Sequence, residues 1–317
     1  MDNNDDLELE ENDKVIDIDQ IKDENVKDVI YELPFGNALT LKETYSITSV
    51  EDTRFIVVAG PSASGKTTLV TTFYQLFQKG PVGSYYFAGS QTLLGFEQRA
   101  YYTRSSSKLS NPETPKTRRG ISDSILHLKL LDSEKNKLHN FLLSDFSGED
   151  YSSAVANVEI MREDFGVIKR ADVIVVIIDG YRISNKKYRH STIQKAIEML
   201  QTMSAADVLS KSVIVEIVIS KYDLIETKSA EDPNILEYVN EIEAKILGKV
   251  AKLPNNAIKF FKVAAMPQDA TCCELGYGLL ELLQSWTDVR EILHMPEQVK
   301  LTSEFNKFQK RMLGATL

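Results

Sequence analysis

Gly60-Pro61-Ser62-Ala63-Ser64-Gly65-Lys66-Thr67, with Thr68 directly after it, is the stretch that decides the fold. It fits G-x-x-x-x-G-K-[ST], a glycine loop whose successive backbone N–H groups surround phosphate oxygens at the start of a helix. Its flanks suit that reading. Phe55-Ile56-Val57-Val58-Ala59 is a short apolar, β-branched run, and beyond Lys66 the residues Thr68, Leu69, Phe73 and Leu76 recur with helical spacing. Gly60 and Gly65 allow backbone conformations and a close approach that a Cβ would block. Lys66 would reach the β- and γ-phosphates, and the Thr67 hydroxyl would hold Mg²⁺. Strand, glycine loop and helix in this order predict a nucleoside triphosphate site over residues 60–68.

The rest of the chain sets limits on that site. At 317 residues and 43% apolar content, it can build one large α/β domain with appendages. No apolar run approaches the ~18 residues of a membrane helix, and the acidic start lacks a signal region, so a cytoplasmic location is expected. Residues 1–29 carry twelve Asp/Glu against three Lys, a balance of −9 that equals the net charge of the whole chain. Such a segment cannot bury enough apolar surface to order itself and reads as a disordered tail. The remaining body is neutral, which gives no electrostatic support for nucleic-acid binding. Cys272 and Cys273 are the only cysteines; adjacent in sequence, they offer neither a disulfide framework nor zinc-site spacing.

Strand and helix patterns alternate after the loop, which predicts a mostly parallel sheet between helical layers. The first helix runs from Lys66 to Gln78 and stops near Gly80-Pro81; Val82 to Gln91 reads as a strand, and Leu93 to Tyr102 as a short helix. Residues 103–120 form a Ser/Thr/Pro loop with five basic residues, so that 82–120 reads as an insertion. Ile125 to Leu131 and Leu138 to Asp145 alternate as a hairpin, which adds one antiparallel strand. Asp172–Asp179, Val213–Ser220 and Ile258–Ala264 are further strands, with helical patterns at 153–169, 191–210, 234–252 and 278–294. The expected domain therefore spans 30–295, followed by an appended amphipathic helix at 296–317.

Three boxes fall at strand ends, where open α/β sheets bind ligands. Asp145-Phe146-Ser147-Gly148 has the D-x-x-G form, in which the Asp supports Mg²⁺ and the Gly N–H reads a γ-phosphate. Ser220-Lys221-Tyr222-Asp223 matches [NT]-K-x-D except at its first position. Asp223 would accept hydrogen bonds from guanine N1 and N2, an edge adenine does not offer, while the Lys221 stem covers the base. Ser220 keeps a hydroxyl but lacks the amide that usually braces the loop. Val263-Ala264-Ala265-Met266 stands where a backbone N–H of Ala264 or Ala265 would read guanine O6.

Together the boxes resemble the Ras-like, translation-factor-related P-loop GTPases over roughly residues 54–294. More narrowly, Tyr86-Phe87-Ala88-Gly89-Ser90-Gln91-Thr92-Leu93, Leu126-His127-Leu128 and Leu143 to Glu149 are similar to the double-GTPase family, bacterial proteins often encoded as paired GTPases in conflict and defence systems. That resemblance implies GTP/GDP and Mg²⁺ as cofactors, a P-loop three-layer sandwich, and a switch that works with a second GTPase or an effector without a membrane anchor. Glu149, directly after the D-x-x-G box, stands where a residue orients the attacking water; a carboxylate there also repels the γ-phosphate, so slow turnover is expected. Thr117 would close over Mg²⁺ as the switch threonine, a role Thr114 fits equally. Arg104, Arg118 and Arg119 read either as a cis arginine finger or as a solvated basic loop. An ATPase, or a nucleotide-stabilised scaffold, stands as the alternative to a GTPase.

Overall fold

The computed structural model describes residues 36–101, 124–210, 212–250, 257–268, 272–288 and 303–304. The strands are β1 (Thr53–Ala59), β2 (Tyr85–Gly89), β3 (Ile125–Asp132), β4 (Lys137–Ser144), β5 (Val173–Asp179), β6 (Ile214–Ser220) and β7 (Ile258–Lys262). They form one sheet in the order β2-β3-β4-β1-β5-β6-β7. β3 pairs antiparallel with both β2 and β4, and every other pairing is parallel. The reversal between β3 and β4 follows from local chemistry: Asp132 Oδ1 accepts the N–H groups of Glu134 (3.0 Å) and Lys135 (3.3 Å), and Asn136 takes a left-handed φ of 48°. This is the α/β sandwich, mostly parallel with one antiparallel strand, that the alternating pattern predicts.

The helices are α1 (Tyr45–Thr48), α2 (Lys66–Lys79), α3 (Leu93–Ala100), α4 (Gly148–Val155), α5 (Val158–Asp164), α6 (Gly180–Ser184), α7 (Arg189–Ala205), α8 (Tyr222–Ser229), α9 (Asn234–Val250) and α10 (Leu279–Thr287). Alternation along the central strands divides the core in two. Val57, Ala59, Ile174, Val176 and Ile178 face α4, α5, α7 and α9, through Tyr151, Met161, Leu200 and Ile242. Ile56, Val58, Val173, Val175 and Ile177 face α2, α3 and α10, through Phe73, Phe96, Leu282 and Trp286. All seven residues of β5 are buried, as a strand covered on both faces requires. Trp286 is fully buried and its Nε1–H donates to Glu216 Oε2 at 2.8 Å, so the one polar atom of that ring is satisfied inside the core.

Several elements differ from the sequence reading. The single helix expected over 153–169 is broken into the end of α4, α5 and a 3-10 helix at Gly166–Arg170; the first break comes where the Asn157 side chain accepts from Glu159 N (2.9 Å) and Ile160 N (3.2 Å) and caps a fresh start. Helix α8 grows directly out of the Ser220–Asp223 box, where a loop was expected. The acidic segment 1–29 and the basic loop 103–120 lie outside the described residues, as does the C-terminal segment except for 303–304. Among the described residues no helix is long and apolar enough to cross a membrane.

Candidate nucleotide site

Parallel strands bring the ends of β1, β4, β5, β6 and β7 to one edge of the sheet. β1 lies where the strand order reverses, so the loop after it meets the loops from both sides. Gly65, at φ 98°, caps α2, and Ala63 also takes a positive φ of 62°. A Cβ on Gly60 would lie 2.9 Å from Ser64 Oγ and 3.3 Å from Ile177 Cβ. Ser64 Oγ is itself buried and has no hydrogen-bond partner among the described residues. A cradle that a Cβ would fill, with an orphaned hydroxyl over it, fits a phosphate. Lys66 Nζ donates to the carbonyls of Gly60 and Pro61, both at 3.0 Å. Burial pushes its pKa down to about 8, against the opposing pull of the Asp145 charge.

Asp145 connects the phosphate loop to the D-x-x-G box. Its side chain is 1% exposed; Oδ1 accepts the Thr67 hydroxyl at 2.7 Å and Oδ2 accepts Arg99 Nε at 2.7 Å. A hydroxyl and a carboxylate beside a phosphate cradle fit Mg²⁺, which takes one or two protein oxygens and completes its shell with water and substrate phosphates. Among the described residues no cluster of three or more metal-binding side chains exists, as that mode requires none. Gly148 packs on the loop so closely that a Cβ would fall 2.4 Å from Ser62 N and 2.6 Å from Lys66 Nζ. Only glycine fits there. Ser147 caps α4 by accepting from Glu149 N at 3.2 Å, which leaves Glu149 in the first helical turn, where the helix dipole favours an acid.

The Ser220–Asp223 box is tied to the same loop. Ser220 Oγ donates to Ser64 O at 2.7 Å, and Lys221 Nζ donates to Ala63 O at 2.8 Å. The brace expected from an amide is thus made by the Ser220 hydroxyl. Lys221 sits at φ 51° and its ammonium also pairs with Asp179 Oδ1 at 3.1 Å. Asp223, buried in the first turn of α8, accepts Gln268 N at 2.9 Å through Oδ2, which fixes its carboxylate against the loop after β7. In that loop Ala264 N donates to Tyr277 O at 3.0 Å and Ala265 O accepts Gly276 N at 3.1 Å. The Ala264 amide is therefore engaged within the protein, and the expectation of an amide that reads a base passes to Ala265. Neither Cys272 nor Cys273 forms a disulfide, and Cys272 Sγ lies 3.9 Å from Asp223 O.

Gly60 to Thr68, Asp145, Gly148, Ser220, Lys221 and Asp223 are thus brought together at one sheet edge. Thr117, Thr114, Arg104, Arg118 and Arg119 lie outside the described residues. Sequence reading missed Asp179 and Arg99. Asp179 closes an apolar strand at the same edge and Arg99 lies on a helix without a motif; the tertiary contact that gives each its place leaves no mark in the sequence.

No curated protein matches the chain. The model of the Double-GTPase 2 family matches residues 54–287, from the start of β1 to the end of α10. The chain belongs to the Double-GTPase 2 family of P-loop GTPases.

Proposed function

We propose that this protein is a Mg²⁺-dependent switch that binds GTP, hydrolyses it slowly and passes its state to a protein partner, a second GTPase or an effector in a bacterial conflict or defence system. Family membership implies GTP binding. The observation that carries the rest is the pair of hydrogen bonds from Thr67 to Asp145 (2.7 Å) and from Ser220 to Ser64 (2.7 Å), which join the phosphate loop to both boxes.

In this reading the loop amides and Lys66 bind the β- and γ-phosphates, and Thr67 with Asp145 would hold the metal. Mg²⁺, when bound with nucleotide, neutralises charge on the transferring phosphoryl group. Asp223 takes guanine N1 and N2, and the Ala265 amide would read guanine O6. Glu149 orients the water, with turnover slowed by its own charge. Thr117 or Thr114 remains the proposed switch threonine. Loss of the γ-phosphate would release Gly148 and move α4. That helix borders a groove of about 570 Å³ beside Pro61, lined by Val155, Val158, Ala196 and Met199, so its movement would change the surface offered to a partner.

The test is equilibrium binding of GTP, GDP, ATP and xanthosine triphosphate with Mg²⁺, on wild type and Asp223→Asn. Guanine preference in the wild type, moved toward xanthine in the variant, is the expected result. Equal or tighter ATP binding, indifferent to Asp223→Asn, would overturn the reading in favour of a P-loop ATPase.

A further inference from the structure

Arg99 is the residue at this site that no motif accounts for. It projects from α3, which is docked on α2 through the stacked rings of Phe96 and Tyr74 (centroids 5.0 Å apart) and the Tyr74 OH–Glu97 Oε1 bond of 2.6 Å. Its Nη1 donates back to Gly95 O at 3.1 Å, and its Nε donates to Asp145 Oδ2 at 2.7 Å. The guanidinium side chain is 15% exposed and the carboxylate 1%. This is a buried, charge-assisted contact held by a packed helix rather than a surface pair.

Among the described residues one Asp145 oxygen accepts from Thr67 and the other from Arg99, and these two partners differ in kind. The Thr67 hydroxyl is neutral and, as a proposed metal ligand, is compatible with Mg²⁺ at this carboxylate. Arg99 brings a fixed positive charge, because a guanidinium does not lose its proton in proteins. A dication and a guanidinium on one buried carboxylate repel each other in a medium that screens poorly.

We propose that Arg99 is a positioning residue that stands in for Mg²⁺ at Asp145 and thereby sets how much Mg²⁺ the protein needs to retain nucleotide. Without metal, Arg99 neutralises Asp145, so the carboxylate does not repel the incoming phosphates. With metal, the guanidinium opposes the ion and raises the Mg²⁺ concentration needed to fill the site. The inference rests on the proposed GTP-switch reading and assigns to the motif-free helix α3 a regulatory function within that site.

The two halves have opposite signs, which makes the idea testable on the full chain. The probe is a fluorescent GDP, with its affinity measured in EDTA and the Mg²⁺ concentration for half-maximal retention measured by titration. For Arg99→Gln the expected result is GDP affinity at least threefold weaker in EDTA, together with half-saturation at a Mg²⁺ concentration at least tenfold lower than in wild type. Arg99→Lys, which keeps the charge, should stay within about threefold of wild type in both.

A residue that only supports the fold would weaken both readings together, and that pattern in Arg99→Gln would overturn the proposal. An unchanged Mg²⁺ requirement in a variant with a wild-type circular dichroism spectrum would overturn it too. A drop in hydrolysis alone, with both binding readings unmoved, would make Arg99 an arginine finger and also refute it. Failure of wild type to bind GDP at all would instead strike the GTP-switch reading.

Discussion

Ser220→Ala isolates one hydrogen bond between the Ser220–Asp223 box and the phosphate loop. The hydroxyl donates to Ser64 O at 2.7 Å and lies 3.3 Å from Ile178 O, while Ser64 and Ser220 are both buried. The substitution removes the hydroxyl and adds no heavy atom, so the alanine introduces no clash. Removing the donor leaves a buried loop carbonyl short of a partner, which costs about 1–3 kcal/mol. In the nucleotide-free protein the loop can relax and let water replace the hydroxyl. With nucleotide bound, the phosphate contacts hold the loop in place and the loss is felt in full. The affected quantity is thus affinity, weakened by roughly 5- to 150-fold at 1.4 kcal/mol per decade. The loss should be equal for GDP, GTP and xanthine nucleotides, because Asp223 is held separately by Gln268 N at 2.9 Å. Competition binding against a fluorescent nucleotide reads this directly. An affinity within twofold of wild type, or a loss confined to guanine nucleotides, would refute the assignment of Ser220 to the phosphate loop.

Two further outcomes follow from groups near the site. Tyr151 on α4 is fully buried between Phe146 and Phe165, and its hydroxyl has no partner among the described residues. Tyr151→Phe should therefore stabilise the nucleotide-free protein by about 1 kcal/mol in urea unfolding, and a loss of stability would show that the hydroxyl has a structural partner. His127 Nδ1 accepts Gln91 N at 3.0 Å and its Nε2 faces Asn140 Oδ1 at 3.3 Å, an arrangement of the neutral ring. Burial holds its pKa below the usual 6.5, so the unfolded chain binds the proton more readily than the folded one. Its contribution to stability is complete above pH 6.5 and falls as pH drops below that, by up to about 1.4 kcal/mol per pH unit. The difference in stability between wild type and His127→Gln should shrink across that range; a pH-independent difference would contradict the neutral-ring assignment.

How far the sequence is legible depends on whether a residue's task is local. The phosphate loop can be read because a tight turn before a helix needs Gly60 and Gly65 at fixed spacing. β5 can be read because burial on both faces leaves an unbroken apolar run. The helix break at Asn157 follows from a capping side chain that also reads as an ordinary loop residue, so periodicity alone carries the helix across it. Arg99 and Asp179 have tasks set by tertiary contact: one reaches Asp145 across 46 positions, the other meets Lys221 across the β5–β6 edge. Sequence spacing holds no trace of such contacts. The double-GTPase resemblance is legible through boxes of the local kind.

The placement of Ser220 and Lys221 bears on why a serine suffices where an amide is usual. Their side chains reach two successive loop carbonyls, Ser64 O at 2.7 Å and Ala63 O at 2.8 Å. In a trans peptide the carbonyl and the following N–H point in opposite directions. Holding the Ala63 and Ser64 carbonyls toward β6 therefore turns the N–H groups of Ser64 and Gly65 toward the side of the loop away from β6. What the last position of β6 must supply is one short donor at the loop, and a hydroxyl at 2.7 Å supplies it. An amide has a second donor and an acceptor that reach further. Here the Asp223 carboxylate, the proposed base reader, is held separately, by the Gln268 N–H. In that reading Ser220 divides a task that one amide would combine: phosphate-loop geometry rests on β6, and the geometry of Asp223 rests on the loop after β7.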